Sequence, residues 1–223
     1  MKAVPARQQQ REQTRARLVD AALRVFALHG YDHATVEEIS LAAGHSKGAY
    51  YFHFDSKEEI LLELLSQWIE EQTRRLRSFE SAETPAAVAL LDALGSLLRY
   101  NDRDPHWRSL LPEFWAQAHR NGHVRSLLQK AYSRWLQLLK GFFERADREG
   151  LLSLAMAPDV AASLVLAAHD GLTVHWRLRA AADTEPTLPQ TLEALISVLT
   201  FPSIEQRSAI VPPSAKRTTK SGR

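Results

Sequence analysis

The chain is predicted to be all-α, and three observations carry that expectation. Apolar residues recur at three- and four-residue spacing along nearly its whole length. The β-branched alternation of half-buried strands is missing, and helix start and stop signals are dense. At 223 residues and 45% hydrophobic content, the chain has enough apolar material to bury a core.

The first helix is expected from about Arg11 to His29. Leu18, Val19, Ala22, Leu23 and Phe26 lie on one of its faces, and Gly30 supplies the stop. Short helices follow. Thr35 with Glu38 forms a capping box opening Val36 to Ala43, Gly44 ends that helix, and Ser46 caps the next. Ser56 with Glu59 reads as another capping box. A linker containing Ser78, Ser81, Thr84 and Pro85 leads into a longer helical part. There the breaks at Pro105, Asn121-Gly122, Gly150, Pro158 and Pro186 to Pro189 divide helices near 85–101, 105–119, 123–148, 158–180 and 188–201.

The formal net charge is only +2, but its distribution is uneven. Lys2, Arg7, Arg11, Arg15, Arg17 and Arg24 face only Glu12 and Asp20 in the first 24 residues. Arg207, Lys216, Arg217, Lys220 and Arg223 face only Glu205 in the tail, so the middle is acidic. The absence of cysteine excludes thiol catalysis and Cys-ligated zinc, and fits a reducing, cytoplasmic setting. The most hydrophobic window, Val160 to Ala168, is halted by His169 and Asp170, too short to span a bilayer.

The stretch from Thr35 to Lys57, TVEEISLAAGHSKGAYYFHFDSK, has helix-turn-helix spacing: a helix ending at Gly44, a turn of about three residues and a second short helix from Lys47. Val36, Ile39 and Ala43 would turn inward from the first helix, and Tyr50 and Phe54 from the second. Lys47, Gly48, Ala49, Tyr51 and His53 are left facing out. Small residues at the leading end permit close approach to base edges, and the aromatic hydrogen-bonding groups reach flanking phosphates.

The run from Gly44 to Phe54, followed by Ser56-Lys57-Glu58, resembles the signature of tetracycline-repressor-type regulators. The likeness extends back through Ala21-Ala22, Phe26, Gly30-Tyr31 and Thr35-Val36, over roughly the first 60 positions. The resemblance implies that Thr35 and Ser46 sit at helix starts near phosphates. It implies further that Lys47, Gly48 and Ala49 face bases, and that Tyr51, His53 and Lys57 contact phosphates. His45 departs from the family pattern, where an apolar residue is usual. The segments Glu113 to Arg125 and Ala168 to Leu172 are similar to the C-terminal domains of one regulator subgroup, which includes choline-responsive repressors.

The expected architecture is therefore an N-terminal three-helix DNA-binding domain with a helix-turn-helix plus a C-terminal helical domain for ligand binding and dimerisation. Residues 1–57 form the arm and reading head, 58–202 the second domain, and 203–223 a disordered basic tail. Trp68, Phe114, Trp115, Tyr132, Trp135 and His169 are the expected contacts of a small-molecule effector, in an apolar site with a few polar groups. In the family the last two helices pair across a two-fold axis. Leu164, Ala168 and Leu172, with Leu192, Leu195, Ile196 and Leu199, are the expected homodimer contacts. The pairs His29/His33 and His119/His123 have metal-ligand spacing, but Gly30 and Asn121-Gly122 interrupt them, so no metal is expected. No cofactor fingerprint and no catalytic motif is present, and no enzyme activity is expected. The leading reading is a repressor released from operator DNA by an effector. An activator with the same DNA contacts, and a helical adaptor with a vestigial motif, remain open.

Overall fold

A computed structural model describes residues 6–80, 83–86, 88–90, 92–93, 95, 105–150, 153–154, 156–178, 194 and 200–201. Helix α1 (Ala6–His29) is followed by α2 (Val36–Ala42), α3 (Lys47–His53), α4 (Lys57–Ser78), α5 (Pro105–Arg120), α6 (Gly122–Arg148) and α7 (Pro158–Leu178). Between α4 and α5 the described residues from Ala86 to Gly95 are also helical. The all-α expectation holds.

Two local differences stand out. First, α1 begins at Ala6, so the arm is helical from there to the point where the sequence suggested a start. Second, Thr200–Phe201 is extended and pairs antiparallel with Ser153–Leu154, Ser153 opposite Phe201. The predicted helix 188–201 is thus corrected at its end, where Thr and Phe are strand formers and Pro202 follows. Its expected dimer residues Leu192, Leu195, Ile196 and Leu199 lie outside the described residues, as does the 203–223 tail.

One continuous apolar core runs through both parts of the chain. Leu18, Ala22 and Phe26 of α1 meet Ile39 of α2, Tyr50 of α3 and Phe54, all nearly or fully buried. The core continues along α4 through Ile60, Leu61, Leu64, Leu65 and Trp68 to Phe114, Trp135, Leu139 and Val165. Each large side chain removed from water in this way contributes about 1.5–3 kcal/mol. The helical spacing read from sequence is what places these residues on one stripe of each helix. Among the described residues no helix is long and apolar enough to cross a membrane.

Candidate nucleic-acid interface

The turn between α2 and α3 is fixed by local chemistry. Thr35 Oγ1 accepts from the Glu38 amide at 3.2 Å, and the Glu38 carboxylate accepts from the Thr35 amide at 2.8 Å, completing the capping box. Gly44 follows α2 with φ 71°, a left-handed conformation that a side chain disfavours. Ser46 Oγ then accepts from the Ala49 amide at 3.1 Å and opens α3. The second predicted box is shifted by one residue. Ser56 Oγ accepts from the Glu59 amide, but the Glu59 carboxylate takes the amide of Asp55 at 2.6 Å.

Tyr50 anchors α3 from beneath. It is fully buried, donates its hydroxyl to the Ser56 carbonyl at 3.0 Å and packs against Phe54. Burial pushes its phenol well above the usual range. On the other side Lys47, Gly48 and Tyr51 are exposed, Ala49 and His53 are partly covered, and Phe52 is 66% exposed. A Cβ added at Gly48 would meet only Ser46 Oγ, at 3.7 Å. The protein itself therefore has room for a side chain there.

The cations around α3 differ in how firmly they are held. Lys47 pairs with Glu37 of α2, an exposed contact that lowers the carboxyl pKa and raises that of the amine. Arg15 forks onto Glu63 at 2.9 and 2.8 Å and lies over the Phe54 ring, tying α1 to α4. Lys57 donates to the carbonyls of Tyr31 (2.6 Å), Asp32 (3.2 Å) and Ala34 (2.9 Å). All three of its N–H groups are committed to the α1–α2 turn, so a phosphate contact by Lys57 would require breaking one of them. His45 does not extend outward either, because its Nε2 is buried and has no partner among the described residues.

The second expected cluster lies where α4, α5, α6 and α7 meet. Trp68 stacks near Phe114 (6.3 Å between rings) and edge-on to Trp135 (5.4 Å), which packs against Tyr132 (5.4 Å). Trp115 Nε1 donates to the Tyr132 hydroxyl at 3.1 Å, and that hydroxyl donates to Asp170 Oδ2 at 2.6 Å. His169 Nδ1 lies 3.2 Å from Asp170 Oδ1. Burial, then the Asp170 charge, pushes the Tyr132 phenol far above its ordinary pKa. Trp135 Nε1 donates to Thr73 Oγ1 at 2.9 Å. Gln72, one turn after Trp68, is 4% exposed, and its Nε2 finds no acceptor among the described residues.

A polar corner joins the two regions. Gln117 Nε2 and Arg120 Nη2 of α5 donate to the two oxygens of Asp32 at 3.1 and 3.2 Å, and His123 Nδ1 of α6 lies 3.0 Å from Glu58 Oε1 at the start of α4. His123 and Asn121 hold the Glu58 carboxyl below its usual pKa.

Comparison with known proteins follows the same division. Residues 18–64 match the model of bacterial regulatory proteins of the tetR family, and residues 85–200 match the C-terminal domain of BetI-type transcriptional repressors. The chain belongs to the tetracycline-repressor (TetR) family. A TetR-family relative, the helix-turn-helix transcriptional repressor DhaR of Mycobacterium sp. (strain GP1), is 26% identical over 200 residues, covering 89% of this chain and 98% of that protein. A TetR regulator from Haloarcula marismortui has the same fold, with a TM-score of 0.72 at 20% identity over 85% of this chain and 99% of that one. Bacillus subtilis FadR, solved with stearoyl-CoA, matches with a TM-score of 0.67 at 19% identity over 82% and 96%. This TetR-family protein is a helix-turn-helix transcriptional regulator that binds DNA.

The structure brings Thr35, Ser46, Lys47, Gly48, Ala49, Tyr51 and His53 onto or beside one surface, and all six expected effector contacts into one cluster. Sequence reasoning missed the contacts of Asp32 with Gln117 and Arg120 and of Glu58 with His123, which join residues 65 to 88 positions apart. It also missed Gln72 and Thr73, although their spacing from Trp68 and Ile69 on a helix was a usable signal.

Proposed function

We propose that this regulator is a homodimeric repressor whose operator grip is released by a small molecule held against Trp68, Phe114, Trp115, Tyr132, Trp135 and His169. The observation that carries this reading is the continuity of α4. The helix starts at the Ser56 cap, beside the recognition helix, and carries Trp68, Gln72 and Thr73 into the aromatic cluster. The buried amide of Gln72 supports a ligand with a hydrogen-bond acceptor, since an orphaned donor at that depth costs about 1–3 kcal/mol. The stearoyl-CoA held by FadR supports a ligand-holding role for this bundle.

Effector binding would shift an equilibrium between two settings of the reading heads, whose recognition helices must match successive major grooves about 34 Å apart. Displacement of α4 reaches the head directly. Displacement of α5 reaches it through Gln117, Arg120 and Asp32.

Pairing of two copies is supported by α7. Val160, Leu164, Ala167, Gly171 and Val174 are all exposed and recur at four and three residues, an apolar stripe facing away from the core. Of the contacts expected from sequence, Leu164 lies on this stripe. Ala168 and Leu172 are half-buried beside it, and Leu172 packs on the core.

In the test, a fusion of the promoter nearest the gene to a reporter is compared in wild-type and deletion strains. Higher expression in the deletion is the expected result. Lower or unchanged expression overturns the repressor reading.

A further inference from the structure

Helix α1 carries a stripe of arginines next to the recognition helix. Arg7, Arg11 and Arg15 recur every fourth residue, so they share one face. The stripe is poorly suited to helix stability: like charges stand one turn apart, and the first turn of α1 contains no acidic residue to complement the N-terminal end of the dipole. Glu12, the nearest acid in sequence, accepts from Gln8 instead.

The three arginines differ in their partners. Arg15 is held by Glu63 and by the Phe54 ring. Arg11 has neither carboxylate nor carbonyl among the described residues, and its guanidinium is held only by the face of Phe52, 5.0 Å from the ring centre. Phe52 is the large apolar side chain that α3 leaves on the surface, one residue from Tyr51 on one side and His53 on the other. Arg11 is close enough to His53 to depress its pKa, second to burial and ahead of Arg15. A cation held over the face of an exposed ring keeps its N–H groups free for a second partner.

We infer that Arg11, oriented by Phe52, clamps an operator phosphate beside the recognition helix, with Phe52 acting as a positioning residue. The inference rests on the DNA-binding reading of α3 and adds two residues to it. The clamp supplies a fixed cation for the phosphate, which Lys47 and Lys57, engaged within the protein, do not present freely.

The test uses the full-length protein and a duplex selected by the wild type from a random-sequence pool, with affinity measured over a range of salt concentrations. Arg11→Ala is expected to weaken binding about tenfold. It should also lower the slope of log affinity against log salt by about 0.9 for each protomer engaged. Arg17→Ala, whose side chain lies about 200° around α1 from Arg15, is the control and is expected to leave both unchanged. Phe52→Leu is expected to weaken binding in the wild-type background and to add nothing in the Arg11→Ala background, since its effect passes through Arg11. Circular dichroism and thermal melting establish that each variant is folded. An Arg11→Ala protein with wild-type affinity and salt slope overturns the clamp. A Phe52→Leu loss that persists without Arg11 overturns the positioning role. A wild type that selects no duplex removes the DNA reading itself, a separate and visible outcome.

Discussion

Gln117, buried on α5, donates its amide to Asp32 in the α1–α2 turn at 3.1 Å, across 85 positions of sequence. Arg120 reaches the other carboxylate oxygen from a more exposed place. The two contacts differ in worth. Asp32→Ala leaves the Gln117 amide buried without its acceptor and is expected to destabilise the chain by about 1–3 kcal/mol. Arg120→Ala removes a solvent-screened pair worth less than about 1 kcal/mol. Urea unfolding of both variants checks the order, and an equal or reversed pair of losses contradicts it.

Gly48→Ala separates stability from function. Gly48 is the second residue of α3, and Ala is the better helix former of the two. The space around it is open on the protein side. The variant is therefore expected to melt at or above the wild-type temperature while binding operator more weakly, because the added methyl group occupies the gap toward the bases. Melting and anisotropy on one preparation check both halves. Undiminished operator affinity removes Gly48 from the contact surface.

The pH dependence of binding should follow His53. Burial, with Arg11 and Arg15 nearby, holds its pKa below the ordinary value, so the imidazole of the free protein is neutral near pH 7. A phosphate set against the ring favours the protonated form and raises the pKa in the complex. Binding then takes up a proton: affinity rises as pH falls through the bound value and levels off below the free one. His53→Gln should flatten that rise. An unchanged profile in the variant places the proton uptake elsewhere.

Leu164→Glu tests the pairing surface. Leu164 is 44% exposed on the apolar stripe of α7, so the charge costs the isolated protomer little. Desolvated against a second copy, the same carboxylate is expensive. Analytical ultracentrifugation should find a folded monomer that has lost operator binding. A dimer of undiminished affinity would place the interface on another face.

What could be read from sequence divides by range. The Thr35–Glu38 box, the Gly44 turn and the Ser46 cap were legible because each joins residues within a few positions and follows from backbone chemistry alone. The inward turn of Tyr50 and Phe54 followed from helical spacing. The contacts that hold Lys57 and Lys47 within the protein were not legible, because the carbonyls of Tyr31 and Ala34 and the carboxylate of Glu37 lie 10 to 26 positions away in sequence. The joint between Asp32 and α5 is a meeting of distant segments that no local pattern encodes.

Tyr51 gives the most direct test of the account, because it is half-exposed on α3 and its ring leans on Tyr50 without filling the core. The measurement is fluorescence anisotropy of labelled DNA from the gene's own upstream region, titrated with wild type and Tyr51→Ala beside a scrambled duplex of equal length. The expected result is tight, salt-sensitive wild-type binding to the upstream duplex alone, with a folded Tyr51→Ala bound at least tenfold more weakly, about 1.4 kcal/mol. Equal affinity of the wild type for both duplexes, or of the two proteins for the upstream one, would contradict the claim that the outer face of α3 reads DNA.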